Sequence, residues 1–315
     1  MAHWQTHAVE GPCMSAQPEP RQPGDQLRPL APPGGSPTVL RMALGGQLRR
    51  LREERGISSQ AAGEAIRASH AKISRLECGK TGFRERDIRD LLMLYGITDT
   101  EQVDAFVDLA RKANQPGWWH QYGDVLPPWF ETYLGLEQAA EVIRWYEAQF
   151  VPGLLQTADY ARAVIALGHG HEPTEEIDRR VALRIQRQQI LYRPDPPTVW
   201  VVIDEAALHR PIGGTQVMRG QIQHLLDIGE LPHVTVQVLP YSAGGHAAAG
   251  GPFIILRYPE HEIPDLVYLE QLTSALYLDK RRDVEHYLAI ADRLAVQAET
   301  PDDTPRFLTT LLRDL

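Results

Sequence analysis

The chain has 315 residues, of which 43% are hydrophobic, 23% charged and 7% aromatic, proportions typical of a globular protein of about two domains. No apolar run approaches the roughly 18–20 residues that span a bilayer. The first residues lack the basic and apolar regions of a secretory signal, so we expect a cytoplasmic protein with no membrane span. Cys13 and Cys78 are too few for a disulfide scaffold or a four-thiolate zinc site.

Charge is distributed unevenly along the chain. The segment 41–89 holds twelve Lys/Arg and six Asp/Glu, a net charge of +6, which leaves −15 for the other residues of a chain whose total is −9. Phosphate attracts the first part and repels the second. This pattern is typical of a small DNA-binding domain joined to a body that does not contact DNA.

Residues 1–38 contain eight of the 24 prolines and almost no periodic apolar residues. Such a segment buries too little apolar surface to offset the entropy of ordering, so a disordered leader is predicted there. The first domain is then expected at 39–113 and the second at 114–315.

Apolar residues at Leu40, Leu44, Leu48 and Leu51 have the spacing of an amphipathic helix that stops at Gly56. Capping residues and glycines then delimit four shorter helices, at 59–66, 69–77, 86–95 and 101–113. Five short helices in about 75 residues predict an all-α bundle.

The segment 115–130 breaks helical periodicity with Pro and Gly and holds three of the six tryptophans, so we interpret it as a domain junction. Beyond it, apolar spacing predicts helices at 136–150, 157–167, 175–192, 217–228, 283–298 and 306–313. Short β-branched or aliphatic runs predict strands at 198–203, 234–239, 252–257 and 266–270. The chain is therefore predicted to be multidomain, an all-α bundle followed by a larger α+β domain.

The helices at 59–66 and 69–77 are joined by only two residues, the arrangement of a helix-turn-helix. Ser69 is the predicted N-cap of the second helix, with Ile73 and Leu76 facing inward. That orientation places the other side chains outward or on the flank, where they can reach base edges: His70, Ala71, Ser74 and Arg75, with Lys72 on the flank.

These side chains suit DNA recognition. Arg75 can bond O6 and N7 of guanine, and Ala71 can contact a thymine methyl group. Ser59 and Gln60, beside the positive N-terminus of the first motif helix, are candidate phosphate contacts, as are Lys80 and Arg84 beyond the second. The sequence predicts binding to double-stranded DNA; the alternative is a plain helical bundle with an incidentally basic helix.

The stretch GISSQAAGEAIRASHAKISRLECGK resembles the λ-repressor-like, xenobiotic-response-element (XRE) family of helix-turn-helix regulators. The matching residues are Ser59, Gln60, Ile73, Ser74, Arg75, Glu77 and Gly79. The chain departs from the family at Gly63, where a small Ala is usual, and at Arg67, where the turn usually holds Gly. If that turn requires a positive φ, Arg67 is strained.

Longer blocks, beginning with GWWHQYGDVLPPWF at Gly117, are similar to the C-terminal domain of actinobacterial XRE regulators of the WhiJ-like, antitoxin-like class. The resemblance implies a transcription regulator, often paired with a small protein encoded by a neighbouring gene. It implies no settled chemistry for the C-terminal domain. Regulators of this type commonly bind DNA as two-fold dimers, so a homodimer is expected.

No sequence motif of an enzyme is present, and we predict no catalytic residue, cofactor or metal. The stretch Gly168-His169-Gly170-His171-Glu172 is interpreted as a polar loop rather than a metal site, because no third spaced ligand is evident. Asp204 and Glu205 follow a predicted strand, where they fit an acid–base pair or a helix cap equally well.

The loop SAGGHAAAGGPF, at 242–253, is the candidate site for a small-molecule effector or partner protein, because its glycines permit close approach. His246 and Gly245 are its candidate residues, and Trp119 and Trp129 are candidate walls of a pocket. The alternatives are a flexible connector for the loop and, for the tryptophans, the favoured role of domain core.

We therefore expect a sequence-specific transcriptional regulator whose C-terminal domain binds a small ligand or a partner protein. An antitoxin-like protein, which mainly binds a small partner and uses DNA binding for autoregulation, is the first alternative. An enzyme tethered to DNA is the second.

Overall fold

A computed structural model describes residues 36–259 and 263–315 of the chain. Its N-terminal part is a bundle of helices around one apolar core, to which Leu44, Leu48, Ile73 and Phe106 contribute. These helices are α1 (Pro37–Glu54), α2 (Ser59–Ala65), α3 (His70–Glu77), α4 (Glu85–Leu94) and α5 (Thr100–Ala113). The five predicted helices are thus confirmed: α1 begins three residues before the predicted start at Leu40, and the other ends differ by one or two residues.

Residues 1–35 of the predicted leader lie outside the residues that the structure describes. Helix α1 already begins at Pro37, and the side chains of Ser36 and Thr38 are buried. Proline is favourable at the start of a helix because its missing N–H would have no partner there.

The C-terminal part is built on a mixed sheet of six strands in the described residues. They are β1 (Val142–Glu147), β2 (Thr198–Asp204), β3 (Val234–Leu239), β4 (Phe253–Arg257), β5 (Leu266–Glu270) and β6 (Ala275–Leu278), in the spatial order β3-β2-β1-β4-β5-β6. β1 pairs with β2 in parallel, and β2 with β3 likewise, whereas the pairs β1–β4, β4–β5 and β5–β6 are antiparallel. Trp145 lies opposite Val201 on one side and Ile254 on the other.

Helices cover both faces of this sheet. Their bounds are α6 (Pro128–Ala139), α7 (Ala158–His169), α8 (Thr174–Arg187), α9 (Glu205–His209), α10 (Thr215–Ile228), α11 (Arg281–Gln297) and α12 (Thr304–Asp314). Successive residues of β1 contribute to two cores. Trp145 belongs to the core that includes residues of α6, α7, α10 and α12, and Tyr146 to the core that includes residues of α11. The predicted fold class, a helical bundle followed by a larger α+β domain, is confirmed.

The helix predicted at 136–150 is wrong. Helix α6 ends at Ala139, Ala140 turns to an extended conformation with ψ 140°, and β1 begins at Val142. The short strand β6 was not predicted from the sequence. Among the described residues, no helix combines the length and apolar character required to cross a bilayer.

Helix α1 belongs to both cores. Leu40, Leu44, Leu48 and Leu51 lie in the core of the helical bundle, while Val39, Met42 and Ala43 lie in the core that covers the sheet. On the second side, a Cβ built on Gly135 of α6 would lie 2.2 Å from Oγ1 of Thr38. No side chain other than the hydrogen of glycine fits at position 135, because α1 and α6 approach so closely there. The bundle therefore packs tightly against the C-terminal part.

Candidate nucleic-acid interface

Two serines begin the helices of the helix-turn-helix. Oγ of Ser58 accepts a hydrogen bond from N–H of Ala61 at 3.1 Å and caps α2, and Oγ of Ser69 accepts one from N–H of Lys72 at 3.3 Å and caps α3. The cap predicted at Ser69 is confirmed. Each bond satisfies a backbone donor that the helix itself cannot.

The turn between α2 and α3 accounts for Gly63 but leaves Arg67 in a strained conformation. Arg67 has φ 55°, so this backbone position does require the left-handed region, which Gly occupies at least cost. N–H of Ala68 donates to the carbonyl of Gly63 at 2.8 Å. A Cβ on Gly63 would lie only 2.7 Å from the carbonyl oxygen of Ala68. The missing side chain at position 63 therefore lets the turn close tightly against α2.

Helix α3 has the two faces that the sequence predicted. Ile73 and Leu76 are 1% exposed, and they hold the helix against the bundle core. The outward face is exposed and consists of His70, Ala71, Ser74 and Arg75. Within the described part of the chain, the side chains of His70 and Arg75 make no ion pair or hydrogen bond, which leaves their donors available to a ligand.

Lys72 has a different environment from its neighbours on α3. It is half-buried, and its ammonium group pairs with the buried carboxylate of Asp87 on α4. Moving this lysine away would leave the buried carboxylate without its counter-charge, which costs free energy. Lys72 therefore joins α3 to α4, a contact that the sequence did not reveal because Asp87 lies in another helix.

The candidate phosphate contacts surround α3. Ser59 is half-exposed at the start of α2, and the amide nitrogen of exposed Gln60 lies 3.4 Å from Oε1 of Glu64. Lys80 and Arg84 are exposed beyond the C-terminus of α3. Arg67 is not among the contacts predicted from the sequence, although it is exposed in the turn before α3. A basic residue where Gly is usual was the available signal.

A buried ion pair fixes the end of α3 to α1. Arg52 donates from Nε and Nη2 to the two carboxylate oxygens of Glu77, at 2.6 and 2.8 Å, and from Nη1 to the carbonyl of Ile57 at 2.9 Å. The bond to Glu77 is the main reason that the pKa of Arg52 is raised. Glu77, one of the residues that match the XRE pattern, thus has a structural role.

Gly79 ends α3 with a C-cap of the Schellman type. Its φ is 66°, its N–H donates to the carbonyl of Leu76 at 3.0 Å, and N–H of Lys80 donates to the carbonyl of Arg75 at 2.9 Å. A Cβ at position 79 would lie 2.8 Å from Cα of Met42. The end of α3 therefore packs directly on the backbone of α1.

The candidate residues of the C-terminal domain do not form one site. Trp119 is 4% exposed in a small apolar cluster with Leu126, Leu134 and Leu183, and Trp129 packs against the main core of the sheet. Gly245 and His246 instead line a surface groove beside α11. Both tryptophans therefore pack in apolar cores away from the groove, the role that the sequence favoured for them.

His246 is held by a polar cluster at the ends of β1 and β2. Its Nε2 lies 3.3 Å from the hydroxyl of Tyr146, which itself donates to Oδ2 of Asp204 at 3.3 Å. Nδ1 of His246 accepts from N–H of Ala248 at 3.3 Å. Asp204 also caps α9 through N–H of Ala206 at 2.9 Å, so the cap interpretation of Asp204 is confirmed.

Two of the four glycines of this loop are explained by backbone conformation, and none of them by close packing. Gly244 and Gly251 have φ of 67° and 101°, and a Cβ built on Gly244, Gly245, Gly250 or Gly251 would meet no atom within 4 Å. The space beside them is open. In the stretch 168–172, Glu172 accepts bonds from His169 and Arg180, and the described residues contain no metal-binding group of three or more His, Cys, Asp or Glu.

Comparison with known proteins gives two matches along the chain. Residues 43–106 match a Helix-turn-helix domain, and residues 130–310 match a Domain of unknown function (DUF5753). No curated protein and no solved structure matches the chain. The first match identifies a DNA-binding regulator. Because the second spans more than half of the chain, the protein belongs to the DUF5753 family, with a helix-turn-helix domain in front of the domain that defines the family.

Proposed function

We propose that the protein is a sequence-specific transcriptional regulator that reads the major groove of double-stranded DNA with α3. The observation that carries this proposal is the exposed face of α3, where Arg75 has no partner within the described residues. Arg67 before the helix and Lys80 and Arg84 after it add positive charge on the same module. Arginine in this setting can bond guanine bidentately, and the flanking cations suit phosphate.

Two substitutions separate base recognition from phosphate contact. Arg75→Ala is expected to cost about 1–3 kcal/mol on the specific site and to relax sequence preference. Lys80→Ala is expected to weaken specific and random DNA alike, and to lower the salt slope by about one unit. The matched control is Arg86→Ala, an exposed arginine of α4 that pairs with Asp90 at 3.5 Å.

The experiment is a genome-wide map of bound sites, followed by fluorescence anisotropy on the best fragment at several salt concentrations. Unchanged affinity for Arg75→Ala, with a loss for Arg86→Ala, contradicts the assignment of α3 as the recognition helix. Equal losses for Arg75→Ala on specific and random DNA contradict base recognition by Arg75.

We further propose that the protein is a homodimer and that the boundary between its DNA-binding and C-terminal domains lies at residues 113–114. One helix-turn-helix offers few base contacts, and two-fold related modules read half-sites about 34–36 Å apart, or a multiple of that. An imperfect palindrome with this spacing is expected in the mapped sites. The acidic C-terminal domain, which DNA phosphate repels, is the proposed source of the dimer contact.

We also propose that loop 242–253 is where a small effector or a partner protein binds. The support is a groove of about 550 Å³ between the loop and α11, lined by Gly245, His246, Arg293 and Val296 among others. His246→Ala and Gly245→Val each test the proposal, because position 245 has room for a side chain in the free protein. Normal DNA binding, partner binding and response to cell extract in both variants contradict it. Copurification of a small neighbour-encoded protein would favour the antitoxin-like, WhiJ-like alternative.

A further inference from the structure

A polar cavity lies where the helix-turn-helix meets the C-terminal domain. Its volume is about 440 Å³, and it is enclosed by α1, α6 and the segment that follows α3. Arg41 and Thr38 of α1, Thr132 of α6, and Lys80 and Thr81 beyond α3 supply its polar walls. None of the described residues that line it is acidic.

Arg41 is the main charged group of this cavity. Its Nη1 donates to the carbonyl of Ala113 at 3.1 Å and its Nη2 to Oγ1 of Thr38 at 3.3 Å, both neutral acceptors. Within the described part of the chain it forms no ion pair. Burial lowers the pKa of Arg41, opposed by the more distant charge of Glu131. A partly buried guanidinium without a counter-ion is costly, and an anion at the cavity would remove that cost.

Three threonines line the cavity together with Arg41. Oγ1 of Thr38 accepts from Arg41, so its own proton is left to donate, and Thr81 and Thr132 bring two more hydroxyls from the other walls. Guanidinium and hydroxyl donors around a space that no described acidic residue lines match the oxygen acceptors of a phosphate or carboxylate group.

We propose that this cavity binds a small anion bearing a phosphate or carboxylate group. The anion would contact α1, α6 and the segment after α3 together, at the place where Gly79 lies against the backbone of α1. Its binding would hold the recognition helix in one position relative to the C-terminal domain. The site is separate from the groove at loop 242–253, and its existence does not depend on the proposed DNA binding.

The test is isothermal titration calorimetry of the full chain with inorganic phosphate and, separately, with succinate, at constant ionic strength against chloride. Saturable binding of at least one of the two is expected, and which one binds identifies the anion class. Arg41→Gln is expected to weaken binding at least tenfold, and Thr132→Val about threefold or more. The matched control Arg86→Gln, on the same module but outside the cavity, should bind as the unaltered chain does.

Thr132→Val keeps the test decisive if Arg41→Gln fails to fold, which circular dichroism would reveal. Absence of saturable binding for both anions overturns the proposal, and so does unchanged affinity in Thr132→Val and in folded Arg41→Gln. Arg75→Ala separates this proposal from the previous one: it should lose DNA affinity and keep its affinity for the anion.

Discussion

Arg67 is a basic residue in a backbone conformation that non-glycine residues avoid. Its φ of 55° lies in the left-handed region, which costs an L-residue roughly 1–2 kcal/mol. The side chain is exposed and forms no hydrogen bond or ion pair within the described residues that would offset this cost. Strain of this kind is commonly kept where a residue serves binding, and Arg67 stands directly before the recognition helix.

Replacement of Arg67 by Gly should stabilise the protein. It removes the left-handed penalty, and the greater freedom of Gly in the unfolded chain offsets part of the gain, so about 0.5–1 kcal/mol is expected. Urea unfolding measures the change. Arg86→Gly, at an exposed position in the first turn of α4, is the control and should lower stability by about 0.5–1 kcal/mol. A loss for Arg67→Gly as large as the control's would rule out the strain.

Glu77 should be far more important to stability than its neighbour in the same ion-pair group. Arg52 and Glu77 have side chains 11% and 7% exposed, and Glu77→Gln would leave a nearly buried guanidinium without its counter-charge. A loss of about 3 kcal/mol is expected. Glu53→Gln is the matched control, since Glu53 also contacts Arg52, at 3.5 Å, but is half-exposed. Similar losses in urea unfolding for both variants contradict a dominant role for the buried pair.

At the scale of elements, the sequence predicted the helix-turn-helix well because its signals are local. Ser69 as a cap, Ile73 and Leu76 at helical spacing, and Gly79 as a stop all act within a few residues. The partners of Lys72 and Arg52 come from other helices, and no local pattern reveals them. The sequence therefore located the exposed face of α3 but could not show that Lys72 is tied to Asp87.

Strand β1 was missed for a physical reason. Both faces of the sheet are covered, so Trp145 and Tyr146 are both buried and the alternation typical of a half-exposed strand is absent. In addition, α6 ends at Ala139 without a glycine or proline, and the chain turns at Ala140. When a helix ends without a stop signal and a buried strand follows, the apolar pattern of the sequence resembles that of one long helix.

The closure of the turn onto α2 makes a specific prediction for Gly63. Gly63→Ala would bring a Cβ to 2.7 Å from a backbone oxygen that cannot move independently. Despite the better helix propensity of Ala, we expect a loss of about 1–2 kcal/mol in urea unfolding and a weaker DNA affinity, because α3 would shift. Gly220→Ala, in α10 with no atom within 4 Å, is the control and should gain about 0.5–1 kcal/mol. A gain in both variants would show that the turn accommodates the methyl group.

At the scale of the whole molecule, the joint between the two parts could not be predicted from the sequence. The leucines of α1 marked one apolar face, which predicted a helix that belongs to the bundle alone. Val39, Met42 and Ala43 form a second apolar face that belongs to the core above the sheet. Their burial depends on α6, which is distant along the chain, so the pattern showed an apolar helix without showing what covers its other side.

A helix shared by two cores should make their unfolding cooperative. Differential scanning calorimetry of the full chain is expected to show one transition, because loss of α1 from either core exposes the apolar residues that it contributes to the other. Met42→Ala and Leu48→Ala alter the two apolar faces of α1, and each should destabilise that single transition by about 2–5 kcal/mol. Leu272→Ala is the control: this side chain is fully exposed, so its loss should leave the transition unchanged. Two separate transitions, with Leu48→Ala lowering only one and Met42→Ala only the other, would mean that the parts unfold independently and that α1 transmits no stability between them.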